Sequence, residues 1–283
     1  GCEHGCVYCF ARPTHAFLGL SPGLDFETKL FYKPDAAALL EQELRRPGYA
    51  PRTIAMGTNT DPYQPTERDL KLTRSILEVL AAFDHPVGIV TKSSLVLRDL
   101  DILAPMAARG LAQVCVSVTT LDRDLARRME PRAATPPRRL DTVRRLAGAG
   151  VPVAVLAAPM IPALNDHELE AILQAAAAAG ADRASYILLR LPLEIKQLFE
   201  EWLREHVPDR ADHVLGLIRE TRGGALYTPA FGTRMKGTGP YADLLAARFR
   251  RACRRLGLNA RTHDLDTGRF AVPPAVGDQL RLL

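Results

Sequence analysis

The chain has 283 residues, 47% of them apolar, and a formal net charge of +5. That length suits one large domain or two small ones, with a core that needs no disulfide staples. Five cysteines, an odd number with three bunched near the start, exclude a secreted disulfide framework and point to a reducing cytoplasm. The start has no basic-then-apolar leader pattern, and no run of roughly 18 apolar residues suggests a membrane span. Only six of the 37 basic residues are Lys. Arginine is thus a compositional habit here, and the mild basic excess permits a polyanionic partner without requiring one.

In chain order, the first feature is "GCEHGCVYCF", with Cys2, Cys6 and Cys9 spaced C-x3-C-x2-C. Gly5 gives this loop the freedom to fold back on itself. Three thiols in one short loop are a metal or cluster set. Zinc needs a fourth protein ligand, which His4 or His15 would supply, although no second knuckle follows. An iron–sulfur cluster held by three thiolates keeps one iron open for chemistry. Cys115 and Cys253 stand alone in apolar stretches and read as small buried hydrophobes.

Five apolar runs follow as strands: "RTIAMG" (52–57), "PVGIVTK" (86–92), "AQVCVSVT" (112–119), "VPVAVLAAP" (151–159) and "ASYILLRL" (184–191). Near-continuous apolar character marks parallel strands buried on both faces. Between them lie helical patterns at 66–83, 98–110, 136–150 and 165–180, the last opening on Asn165 and Glu168 at capping-box spacing. Strand and helix alternate at about 30-residue intervals, which predicts βα units and a parallel sheet, open or curled into a barrel. No G-x-G-x-x-G follows a strand, which disfavours a dinucleotide-binding domain. In either architecture the site lies at the carboxyl ends of the strands.

Those ends carry polar residues. "GTNTDPYQP" (57–65) offers Thr58, Asn59, Thr60 and Asp61, as a ligand loop or as an ordinary turn. Lys92 directly follows an apolar run and suits an anion or a snorkelling rim position. Ser117 shares a strand face with Cys115 and is a ligand donor or a small core hydroxyl. Glu130 and Arg132 sit in a loop, as a ligand-directed pair or a surface ion pair. From about 194 the texture changes to charged helices at 194–224 and 241–258, joined by the Gly-rich loop 227–241, whose "GTRMKGTGPY" suits closing a barrel mouth or an ordinary loop. Arg248, Arg251 and Arg255 share a stripe on the last helix, a phosphate-binding face or a solvated one.

The cysteine spacing, with the aromatic Tyr8 before the last thiol, resembles the radical SAM superfamily. Together with "FARPTHAFLGL", "GTNTD", "VTKSS" and "CVSVTT" it resembles the spore photoproduct lyase-like, or DNA repair photolyase-like, branch over roughly residues 1–190. The resemblance implies an α/β fold: an incomplete (β/α)6 barrel over 1–193 with a helical C-terminal extension over 194–283 packed on it. It also implies that a first strand precedes Gly1. It implies a 4Fe–4S cluster on Cys2, Cys6 and Cys9, with S-adenosylmethionine chelating the open iron and cleaved to a 5′-deoxyadenosyl radical. Tyr8 would lie by the adenine. Thr58, Asn59, Thr60 and Asp61 would meet the cofactor amine, Lys92 and Ser117 its carboxylate or ribose, and Glu130 and Arg132 the ribose region. An external electron donor is implied, and the branch suggests a nucleic-acid lesion or modified base as substrate. The lyase's hydrogen-donating cysteine is replaced by Thr58, so that activity does not carry over. Tyr186 and Tyr63 are then candidate radical relays. The rival from the residues alone is a zinc-stabilised nucleic-acid-binding protein without turnover.

Overall fold

The computed structural model describes residues 1–261 and 264–274. The 194–283 segment named above therefore ends partly outside the described residues.

All five expected strands form: β1 (Ile54–Met56), β2 (Val87–Thr91), β3 (Ala112–Ser117), β4 (Val153–Met160) and β5 (Arg183–Leu188). They pair in parallel in the order β1-β2-β3-β4-β5, a curled α/β half-barrel in which each strand neighbours the next. Register aligns Ile89 with Val114, and Val116 with Val155. These side chains face the helices and are buried. The alternate residues Val90, Cys115 and Ala154 align in a second row. Side chains alternate faces along a strand, so this row points to the concave interior. The apolar runs read as continuous because both rows are packed.

The helices are α1 (Asp25–Thr28), α2 (Ala36–Leu44), α3 (Glu67–Leu70), α4 (Leu72–Ala82), α5 (Leu100–Ala108), α6 (Arg123–Met129), α7 (Pro136–Gly148), α8 (Leu169–Ala178), α9 (Ile195–His206), α10 (Ala211–Glu220) and α11 (Pro240–Leu256). The expected helix 66–83 is split at Lys71, whose φ of 52° breaks the hydrogen-bond ladder between α3 and α4. α1, α2 and α6 have weak patterns in the sequence and were not expected. One core joins the convex face of the sheet to α4, α5, α7 and α8, with Leu77, Leu80, Leu103, Leu146 and Leu173 fully buried. A second core joins the cysteine loop to α9 and α10 through Tyr8, Leu125, Met129, Ile195, Phe199 and Trp202.

The capping box does not form. Asn165 makes no side-chain cap. It is fully buried, and its amide accepts from Ile161 N at 2.7 Å and donates to the Thr119 and Pro159 carbonyls at 2.8 and 2.9 Å. Glu168 accepts from the Thr120 hydroxyl at 2.6 Å and from Leu121 N. Both residues thus fasten the end of β3 to the end of β4, where unpaired backbone groups outbid a helix terminus for polar partners.

The 227–241 loop lies along the free edge of β5. Leu188 N donates to Met235 O at 2.9 Å and Lys236 Nζ to Tyr186 O at 2.6 Å. Gly237 makes this approach possible, because a Cβ there would stand 2.8 Å from Leu188 Cδ1. No helix among the described residues is long and apolar enough to cross a membrane.

Candidate functional site

At the carboxyl ends of the strands lies a cavity of about 270 Å3. The cysteine loop forms one wall through Tyr8 and Phe10; Thr58, Lys92, Ser117, Leu156 and Ala158 come from successive strand ends, and Arg190 and Met235 close the far side. Of the residues expected at a cofactor, Tyr8, Thr58, Lys92 and Ser117 meet here.

The cysteine loop is held from beneath. Arg12 Nε donates to Cys6 O at 2.9 Å, and the Arg12 guanidinium pairs with Glu27. Gly5 has φ of 68°, and a Cβ there would stand 2.5 Å from Arg132 Nη2. The left-handed φ, which a Cβ makes strained, explains the glycine inside the motif. Cys2, Cys6 and Cys9 are free thiols. Burial and then Glu130 push the Cys6 thiol up, with Lys92 opposing and Cys9 and Cys2 adding to the rise. Cys2 differs. Burial would raise its thiol, but His4 donates to it and brings it down.

Asp61 is drawn under the loop, away from the cavity. It accepts from the Thr91 hydroxyl and from Lys92 N, both at 2.7 Å, and from Tyr63 N at 2.9 Å, with His4 Nδ1 at 3.4 Å. Burial would raise its carboxyl, yet His4 and these donors hold it at about 2. His4 is raised in turn to about 9: burial opposes its charge, and Asp61 and Cys2 overcome that. In this structure Asp61 pins the cysteine loop to the end of β2 with every oxygen engaged, and His4 is its partner. Asn59 is exposed and Thr60 lines an outer groove beside Met56. Of the four candidates Thr58, Asn59, Thr60 and Asp61, it is Thr58 that lines the cavity. His15, the other candidate zinc ligand, bonds to Lys29 O at 3.0 Å and packs edge-on against Phe26.

Glu130 and Arg132 do not pair. Glu130 turns inward and meets the Arg139 guanidinium of α7, and the two side chains are 1% and 2% exposed. Tyr8 OH and the Thr119 hydroxyl also donate to Glu130, the latter at 2.7 Å. Burial would raise the Glu130 carboxyl; Arg139 and then Lys92 hold it below its usual range. Arg139 further donates to Ser117 O at 3.1 Å and to Ala134 O at 2.7 Å. This buried pair is the base on which Tyr8, and so the cysteine loop, rests. Arg132 instead reaches Glu27 and the Glu3 carbonyl on the outside.

Sequence reading missed Arg139, Thr119, Phe10 and Arg190. Arg139 sits in an arginine-rich helix start with nothing to set it apart. Arg190 carried a usable signal, a cation directly after an apolar strand, the same one that marked Lys92. Tyr186 and Tyr63 are packing residues: Tyr186 lies 4.9 Å from Phe249, and Tyr63 OH donates to buried Asp99 at 3.0 Å. Cys115 lies in the inward row below Ser117, its thiol pushed up to about 12 by burial. Arg248 is no free phosphate contact, since it pairs with Glu170 of α8 at 2.6 Å.

Among the described residues, no three His, Cys, Asp or Glu side chains converge as ligands of one ion must. Three free thiols on one loop beside a cavity are a donor set that suits a cluster with one iron left without a protein ligand.

Comparison with known proteins places these observations. Residues 1–176 match the family model of the radical SAM superfamily. Uncharacterised proteins of Mycobacterium bovis and Mycobacterium tuberculosis are 39% identical over 221 residues, which is 77% of this chain. The chain spans 65% of the length of those relatives. An uncharacterised protein of Methanocaldococcus jannaschii is 27% identical over 168 residues, 59% of this chain and 60% of its own. Spore photoproduct lyase shares the fold, with a TM-score of 0.60 at 19% identity over 90% of this chain and 72% of the lyase. A variant of that lyase was solved with bound AdoMet and dinucleoside spore photoproduct. With more than half of its length matched by the family model and its cysteine loop at the mouth of a parallel half-barrel, this chain belongs to the radical SAM superfamily.

Proposed function

We propose that the protein is a radical enzyme that holds a 4Fe–4S cluster on Cys2, Cys6 and Cys9 and binds S-adenosylmethionine in the adjoining cavity. The observation that carries this reading is the shared wall: the loop bearing three free thiols also lines the cavity at the strand ends. When bound, the reduced cluster and cofactor supply a 5′-deoxyadenosyl radical, with the electron coming from an external donor.

The chain's own residues do the holding. Lys92 Nζ lies 5.9 Å from the Tyr8 ring centroid, in the cavity, and is the cation for the cofactor carboxylate. Burial would lower its pKa, but the nearby Cys6 and Glu130 charges outweigh that and hold it above its usual value, so it stays charged. Ser117 is the neighbouring hydroxyl, and Thr58 the polar group facing the cavity from the loop after β1. Glu130 and Arg139 act through Tyr8, whose orientation they set. Asp61 and His4 act through the loop. Leu156, Pro159, Ile187 and Leu189 keep the cavity apolar and exclude water from a reactive carbon radical. A nucleic-acid lesion or modified base is the substrate class this reading adopts, from the solved lyase complex with a dinucleoside. Thr58 offers no thiol, so the hydrogen-atom balance differs from that of an enzyme with cysteine at this place.

Anaerobic reconstitution tests this. The expected result is a brown protein with about four iron per chain that releases 5′-deoxyadenosine on reduction with S-adenosylmethionine. Cys6→Ala should lose both, and Cys253→Ala neither. A colourless protein with one zinc and no cleavage would replace the reading with a zinc-stabilised binding protein.

A further inference from the structure

Arg190 stands two residues past the end of β5 and lines the central cavity beside Met235. Its guanidinium is stacked over the Phe10 ring, 4.7 Å from the centroid. Its one hydrogen bond is a weak contact from Nη1 to Met235 Sδ at 3.6 Å. Nε is buried with no acceptor, and no carboxylate pairs with Arg190 among the described residues.

A second guanidinium stands behind it. Arg222 is 4% exposed and donates to the carbonyls of Leu189, Thr233 and Leu188 at 2.8, 3.1 and 3.3 Å. Among the described residues it too meets no carboxylate, and its Nε is unpartnered. Burial and then the Arg190 charge pull its pKa down, the mark of two cations facing each other.

Elsewhere this fold pairs each deeply buried arginine with an acid, Arg139 with Glu130 and Arg12 with Glu27. Desolvating a cation without a counter-charge is strongly unfavourable, so such groups are paired or meet a ligand. Here half-buried Arg190 lines the cavity with buried Arg222 behind it, and neither meets a carboxylate among the described residues. The counter-charge is therefore expected from what the cavity binds. A guanidinium is a planar fork suited to an oxyanion, and Phe10 fixes its plane by stacking. Two positive charges suit a phosphate ester better than a singly charged carboxylate. The surrounding apolar wall of Leu189, Ile187 and Pro159 suits an apolar or aromatic body on that ester.

Position separates this group from the cofactor contacts. Lys92 and Ser117 stand at the ends of the inner strands β2 and β3, whereas Arg190 stands beyond the edge strand β5, across the cavity from them. We propose that Arg190, backed by Arg222, is the receptor for a phosphate group carried by the substrate. The assignment of the β2–β3 side to the cofactor rests on the function proposed above; the unpaired cations do not.

The test is anaerobic titration calorimetry on the iron-loaded protein, with phenyl phosphate, phenol and S-adenosylmethionine as separate probes. Phenyl phosphate should bind and phenol should not. Arg190→Gln should weaken phenyl phosphate about tenfold or more, the loss expected for a charge-assisted pair, and leave S-adenosylmethionine affinity unchanged. Arg190→Lys keeps the charge, loses the fork, and should fall between; it carries the test if the Gln variant does not fold. Failure of the wild-type protein to bind phenyl phosphate, or equal binding by both variants, would overturn the proposal. So would a loss of S-adenosylmethionine affinity in their place, which would make Arg190 the partner of the cofactor carboxylate. A protein that binds phenyl phosphate through Arg190 but never binds S-adenosylmethionine would instead sink the enzyme reading and leave the anion site standing.

Discussion

Arg139→Met removes one partner of the buried pair under the cysteine loop. Glu130 and Arg139 are 1% and 2% exposed, so water cannot replace the lost charge. Breaking a buried pair from one side costs about 3–5 kcal/mol. Lys92 stays close enough to lower the Glu130 carboxyl, and the Tyr8 and Thr119 hydroxyls still donate to it. The loss should therefore lie near the lower end, about 3 kcal/mol, a large share of the roughly 5–15 kcal/mol that stabilises a domain. Adding Glu130→Gln removes the stranded charge and should recover most of that loss. The sign of the pH effect follows. In Arg139→Met, burial dominates and the folded Glu130 pKa rises above its unfolded value. Its folded state then binds the extra proton, so the variant loses stability as pH rises from about 4.3 through the new pKa. The deficit should be smaller at pH 5 than at pH 7.5. Urea unfolding followed by far-ultraviolet circular dichroism, run anaerobically on all four proteins of the cycle, measures each quantity. A single-variant loss under about 1 kcal/mol, or a double variant no more stable than Arg139→Met, would refute the reasoning.

Two further outcomes are expected from the packing. Gly57→Ala should destabilise by more than about 2 kcal/mol, because its Cβ would stand 2.0 Å from Val90 O at a φ of 87°. Gly223→Ala, at a φ of 65° with open space around it, should cost only about 1 kcal/mol; comparable thermal melting losses would show that the close approach at Gly57 is not what matters. Lys236, half-buried against Tyr186, has its pKa lowered by burial from 10.5 to about 8. The folded state then binds fewer protons than the unfolded one between these values, so stability gains as pH rises through that window. Lys236→Met should flatten this part of the stability–pH curve, and an unchanged slope in chemical denaturation would contradict the burial argument.

The legible part of the site was the part carried by local chemistry. Three cysteines within one loop need no fold to be seen as a ligand set, and Lys92 declares itself by following an apolar run. Asn165 and Glu168 show the limit. Their spacing fits a capping box, but the competition for their polar groups was decided by the ends of β3 and β4, which lie far away in sequence. Glu130 shows it again. The sequence offers Arg132 two residues away, while the partner it finds is Arg139, one face of a helix further on. Partner choice among many arginines depends on which one is buried, and burial is a property of the assembled layers.

Sequence by itself determined the strand and helix alternation, the parallel sheet it requires, and the thiol loop at its start. These follow from apolar periodicity and from residue types whose chemistry is intrinsic. Tertiary structure alone decided that Asp61 is a pin for the loop and not a cavity group, that Tyr8 rests on a buried ion pair, and that Arg190 lines the cavity with Arg222 behind it and no acid beside either among the described residues. Electrostatic roles depend on distance and desolvation between elements far apart in the chain, and only the folded sheet brings those groups within reach of one another.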